Sequence, residues 1–103
     1  MSTAIERTLP IIIEPLVRRG WYKSPAEALK EIVLEYVRQK INKAKAEIAA
    51  LETKYGMTFE EFTEAIKGKA SIQEEDDWMQ WESALDMLQA WQETEKEILA
   101  SDV

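Results

Sequence analysis

The side chains of this chain best equipped for chemistry are carboxylates. Glu60, Glu61 and Glu64 form one cluster, Glu74, Glu75, Asp76 and Asp77 a second, and Glu82 with Asp86 a third. Such groups hold hard divalent cations through oxygen or exchange protons with a substrate. The chain has no histidine and no cysteine. That removes thiolate zinc sites, disulfides, His-activated nucleophiles and the usual proton shuttle near neutral pH, and a di-iron bundle site would want Glu-x-x-His. Acids beside a helix start also have a purely electrostatic use, because they face the positive end of the helix dipole. The residues therefore read as non-enzymatic: no catalytic side chain, no metal and no cofactor are expected.

A second set of residues points to protein binding. Trp78, Trp81, Leu85 and Leu88 step by three and four, with Ala84 and Trp91 flanking, on a stretch where every nearby charge except Lys96 is negative. Aromatic anchors framed by acids differ from a nucleic-acid platform, which interleaves aromatics with Lys and Arg. Trp78, Trp81, Leu85, Leu88 and Trp91 are thus expected to dock a basic partner, the other reading being that they pack on the chain's own long helix. Arg7, Arg18, Arg19 and Lys23 are the one basic cluster that can meet nucleic acid. Charge follows the same division: residues 1–48 hold nine Lys or Arg against six acids, and residues 49–103 hold four against fourteen.

The elements that must position these residues are helices. Ser24-Pro25-Ala26-Glu27 carries a capping serine, a proline where no donor is needed and a glutamate able to reach back, so a helix starts at Ser24. No Gly or Pro follows until Gly56. The helix should therefore run for about 30 residues, roughly 45 Å. Its first part presents Ala28, Leu29, Ile32, Val33, Tyr36 and Val37 as a broad stripe suited to a core. Leu34, Val37, Ile41, Ala44, Ile48, Leu51 and Tyr55 then recur as a heptad seam, which reads as a coiled coil or a helical hairpin and is expected to join two copies of the chain. Thr58-Phe59-Glu60-Glu61 is a second capping box and predicts a short helix over 59–67, followed by a polar loop over 69–75 and a last helix over 76–99. Upstream, loose alternation from Ser2 to Leu9 predicts a short strand or arm, and the bracketing Pro10 and Pro15 place a short helix near 14–20.

At 103 residues, 46% hydrophobic and 32% charged, the chain suits one folded domain. The fold class expected is mainly α: an N-terminal strand or arm, a short helix, a long central helix with a coiled-coil seam, then a short and a C-terminal helix. Residues 1–55 form the dimerisation region and 56–103 the acidic partner-binding region. Without a long apolar segment, a cytoplasmic address is expected.

Thr8-Leu9-Pro10, with Arg19-Gly20-Trp21-Tyr22-Lys23-Ser24-Pro25-Ala26-Glu27-Ala28-Leu29-Lys30, resembles the ribbon-helix-helix proteins and related antitoxins of prokaryotic toxin–antitoxin pairs. The resemblance covers about the first 40 residues. It implies a homodimer whose paired strands enter the DNA major groove, with the downstream chain wrapping and neutralising a toxin. Lys54 to Phe62 and Asp77-Trp78-x-x-Trp81-Glu82 resemble the C-terminal part of small antitoxin-like proteins. The expected function is an antitoxin-like protein-binding module, the alternative a structural oligomerisation or adaptor protein. A third reading follows from Glu60-Glu61-x-x-Glu64 and Glu74-x-x-Asp77, whose pattern resembles the magnesium site of all-α nucleoside triphosphate pyrophosphatases. The stretch between Leu9 and Ser24 is about one turn shorter than in ribbon-helix-helix sequences, Pro15 interrupts it, and the arm offers only Arg7, opposed by Glu6. DNA titrations should accordingly show weak binding that disappears between about 50 and 200 mM salt, because few phosphates can be neutralised. Nanomolar affinity for one sequence at physiological salt would reverse that expectation.

Overall fold

The structure, a computed structural model, describes residues 3–102, and among them the side chains of Thr8 and of residues 10–102. Four helices follow one another: α1 (Thr3–Arg18), α2 (Pro25–Tyr55), α3 (Phe59–Ile66) and α4 (Ile72–Leu99). The mainly α class is as expected, and the described residues contain no strand.

The predicted N-terminal strand is instead part of α1, which runs from Thr3 through Pro10 and Pro15. With no neighbouring strand to pair with, an extended arm would leave its backbone groups to solvent, whereas a helix satisfies them internally. Ile13 is buried and Leu16 and Val17 are half-buried, a helical stripe that packs α1 on α2. Each proline removes one intrahelical donor, a cost that this packing offsets. Gly20, at φ +79°, ends the segment, and the amide of Trp21 donates back to the Leu16 carbonyl.

α2 begins where its cap predicts. Ser24 Oγ accepts from the Glu27 amide at 3.1 Å, and the Glu27 carboxylate accepts from the Lys23 amide at 2.8 Å. It ends at Gly56, whose left-handed φ of +63° sends its N–H to the Glu52 carbonyl. Thr58 and Glu61 complete the expected capping box of α3.

The predicted polar loop over 69–75 is shorter than expected. Ser71 and Glu74 form another reciprocal capping box, and α4 starts at Ile72 rather than near Asp76. The extra turn makes α4 28 residues long, enough to return along most of α2. Lys30 reaches the Ser101 carbonyl at one end, Arg38 pairs with Glu95 at 2.9 Å further along, and Lys54 pairs with Asp77 at the other end. These pairs fix an antiparallel α2/α4 hairpin.

That hairpin corrects the expected dimerisation seam. Leu34, Val37, Ile41, Ala44 and Leu51 are buried and Ile48 and Tyr55 are half-buried, all within one chain. α4 supplies the cover that a second copy was expected to give, because the missed cap at Ser71 lengthens it. The broad stripe upstream departs in the opposite sense. Ala28 and Val37 are buried, but Leu29, Ile32, Val33 and Tyr36 are exposed, so the expected core face is largely open. The described residues form a rod of 59 × 30 × 23 Å with a radius of gyration of 19.9 Å. A compact chain of this length would have about 13 Å.

Burial separates structural from surface side chains sharply. Leu51→Ala should lower the unfolding free energy by about 2–4 kcal/mol in urea titrations, through lost burial and a cavity. Met79→Ala, at a side chain 64% exposed, should change it by less than about 0.5 kcal/mol.

Candidate protein-binding site

Two chain reversals, at Gly56 and at Gly68, bring α2, α3 and α4 together at the acidic end of the rod. Leu51, Phe62 and Trp81 are buried at the centre, with Tyr55, Phe59, Ile66, Trp78 and Leu85 packed around them. The rings interlock. Phe62 and Trp81 stack at 5.5 Å between centroids, Phe59 meets Trp78 at 5.5 Å and the edge of Trp81 at 5.6 Å, and Tyr55 lies 4.1 Å from Phe62. Such pairs add about 0.5–1.5 kcal/mol each beyond area burial.

Asp77 is the buried charge of this junction. Its Oδ2 accepts from Lys54 Nζ at 2.6 Å and from the Tyr55 hydroxyl, and its Oδ1 accepts from Gln73 Nε2 at 3.0 Å. Both oxygens of the carboxylate are thus engaged, as a buried charge requires. The hydrogen bonds from Lys54 and Tyr55 hold its carboxyl below the usual aspartate range, against the opposing effect of burial. The same hydrogen bond, with burial and the negative charge of Asp77, pushes the Tyr55 hydroxyl up to about 12.

The other acids of the two clusters are also engaged or dispersed. Glu61 and Glu74 accept backbone amides in capping boxes, and Glu64 faces Lys67 at 3.7 Å. Among the described residues, no three acidic side chains converge on a point that can hold a metal ion.

The predicted partner-binding stripe is distributed unevenly. Trp81 is wholly buried, which overturns its expected role as a docking anchor. Leu85 packs on the same core, Leu88 is half-buried, and Trp91 turns its edge to Tyr36 on α2 at 5.9 Å. The stripe is thus a real apolar face, but α2 occupies most of it. Trp78 differs. Its indole N–H donates to Thr63 Oγ1 at 2.8 Å, while its ring borders an open groove of about 400 Å³ lined also by Ile66, Lys67, Glu75 and Met79. Met79 and Ile72 stand out on the same turns of α4, 64% and 80% exposed. Neither was identified from the sequence. Ile72 sits inside a stretch that reads as polar loop, and Met79 falls between the tryptophans but off their stripe.

The nucleic-acid candidates gather little. Arg18 is paired with Glu14 at 2.7 Å, Arg19 and Lys23 are exposed around the α1–α2 turn, and the side chain of Arg7 lies outside the described residues. No helix among the described residues is long and apolar enough to cross a membrane. Comparisons with protein-family models, with curated proteins and with solved structures find no match to this chain.

The Asp77 network sets a pH window. The aspartate is depressed in the fold, so its contribution is complete above the unfolded range and lost as pH falls below about 4. Tyr55 is raised, so its contribution holds below about 10 and is lost as pH rises towards 12. Thermal unfolding should therefore show a stability plateau between these limits. Asp77→Ala should lower it by about 1–3 kcal/mol at pH 7, by leaving the Lys54 and Tyr55 donors without their acceptor, and by progressively less as pH falls below about 4.

Proposed function

We propose that this chain is a non-enzymatic protein-binding module whose acidic end docks on a basic partner protein, in the manner of an antitoxin that neutralises a toxin. One observation carries the reading: Trp78, Met79 and Ile66 line an open apolar groove at the three-helix junction, with Glu75 and Lys67 at its edge and Ile72 exposed on the same helix as Met79. Between residues 58 and 79 the chain has seven acids and two lysines. An exposed methionine and isoleucine beside a fixed indole have no folding use, whereas they suit a partner's apolar side chain. The acids would draw a positive partner in and repel nucleic acid, acting on the encounter rate more than on final affinity.

The antitoxin class is supported by the resemblance of residues 19–30 and 54–62, and the groove supports protein binding in general. DNA binding is not part of the proposal, since the segment expected to form a ribbon is helical.

The test is co-expression with the protein encoded beside this chain's gene. A basic neighbour should co-purify with the chain and lose its toxicity, and Ile72→Ala or Met79→Ala should weaken the isolated complex by about 1–2 kcal/mol without loss of helicity. Association should also slow as salt rises. Full binding by an Ile72→Asp, Met79→Asp double variant would place the contact elsewhere and overturn the reading.

A further inference from the structure

The opposite half of the rod carries a second seam that nothing among the described residues covers. On α2, Ala26, Leu29, Val33, Tyr36, Lys40 and Lys43 recur at steps of three and four, offset from the seam that meets α4. On α4, Gln80, Ser83, Met87, Ala90, Thr94 and Ile98 repeat the same steps. The two rows flank one groove. One stretch of it, about 330 Å³, lies between Leu29, Val33, Thr94 and Ile98, and the next, about 210 Å³, between Tyr36, Lys43, Met87 and Trp91. Leu29, Val33, Tyr36 and Met87 are 36–52% exposed.

The α4 row is informative because of what surrounds it. Glu75, Asp76, Glu82, Asp86 and Glu93 are exposed on the same helix, yet none of them lines either stretch of the groove, where Glu97 is the one α4 acid. A helix with one covered seam and a second, largely uncharged one beside it has the pattern of a bundle helix, which packs on two neighbours. A two-helix hairpin provides only one.

We infer that the uncovered face of the α2/α4 hairpin is an interface with a second copy of this chain, making an antiparallel four-helix bundle. Size and charge both favour that occupant. From Ala26 to Glu47 the face is about 30 Å long and two helices wide, on the order of 600 Å², close to the ~800 Å² per partner of a standard interface. With a net charge of -7, two copies repel one another least where few acids lie, and only Glu47 and Glu97 line this groove. A two-fold axis along the rod lays α2 of each copy over α4 of the other at equal height, because Tyr36 stands level with Trp91 within one hairpin. Leu29 and Val33 then face Ile98 and Thr94 of the second copy. Lys40 and Lys43 come level with Met87 and Ala84 of its α4, beside Asp86, so this basic stretch of the face meets an acid. The surface is separate from the acidic-end groove, and each can fail without the other.

Sedimentation equilibrium of the full chain at about 50 μM should give twice 11.9 kDa. Val33→Glu should shift it to a monomer that keeps its helical circular dichroism. Met87→Glu, on the other wall and half-exposed, should do the same and serves if Val33→Glu fails to fold. Lys40→Glu with Lys43→Glu should weaken dimerisation at least about tenfold, and Asp86→Lys in that background should restore it in part. A wild-type mass of 11.9 kDa at that concentration would overturn the inference, as would a dimer unaffected by both glutamate substitutions.

Discussion

A helix of 31 residues with an apolar seam along one side has to bury that seam, and in a chain of 103 residues the only segment long enough to cover it is α4. Covering it requires the chain to reverse completely between Tyr55 and Ile72. Gly56 and Gly68 supply the left-handed residues, and nothing lies within 4 Å of where their Cβ atoms would be, so conformation alone calls for glycine there. Capping boxes at Thr58 and Ser71 restart the helices immediately after each turn. α3 is thereby a spacer between two reversals, and its Phe59 and Phe62 close the junction against Trp81.

The consequence is a rod with unlike ends. At the junction, rings from three helices fill the interior and the Asp77 network satisfies the one buried charge, leaving no buried side-chain donor or acceptor unpaired among the described residues. Under the proposed function, Ile72, Met79 and the edge of Trp78 would present a recognition surface on this packed junction, with little ordering entropy left to lose on binding. At the far end α1 covers one side of α2, and a broad apolar face stays open. Of the α4 acids, Glu97 alone lines the open groove on that face. The two proposed surfaces thus differ in charge, the one at the junction the more acidic.

Much of this order was legible in residue patterns, with errors at particular places. Ser24, Gly56 and Thr58 announced the limits of α2 and α3 because capping is local chemistry that neighbouring residues fully determine. Ser71 and Glu74 carry the same signature but lie within a polar run, and composition masked it. That omission shortened the expected α4, and a heptad seam by itself fits a second copy or a helix of the same chain equally well. The stripe of Trp78, Trp81, Leu85 and Leu88 was correctly read as apolar, but periodicity cannot say whether the face packs inward or outward. The Asp77 contacts with Lys54 and Tyr55 span more than twenty residues, and no spacing rule points to them. In the N-terminal segment, alternation and two prolines favoured an extended arm over the helix that packing on α2 produces.

The return of α4 along α2 within one chain is the claim on which both surfaces rest. The absence of native cysteine makes it directly measurable. Spin labels at Lys30→Cys and Ser101→Cys, in chains diluted with unlabelled protein so that only one labelled copy is present per assembly, report the distance by pulsed electron paramagnetic resonance. The account predicts one narrow distribution near 20 Å or below, since the two positions are in hydrogen-bond contact. A distribution centred beyond about 45 Å, the length of α2 itself, would mean that α4 does not fold back on its own chain.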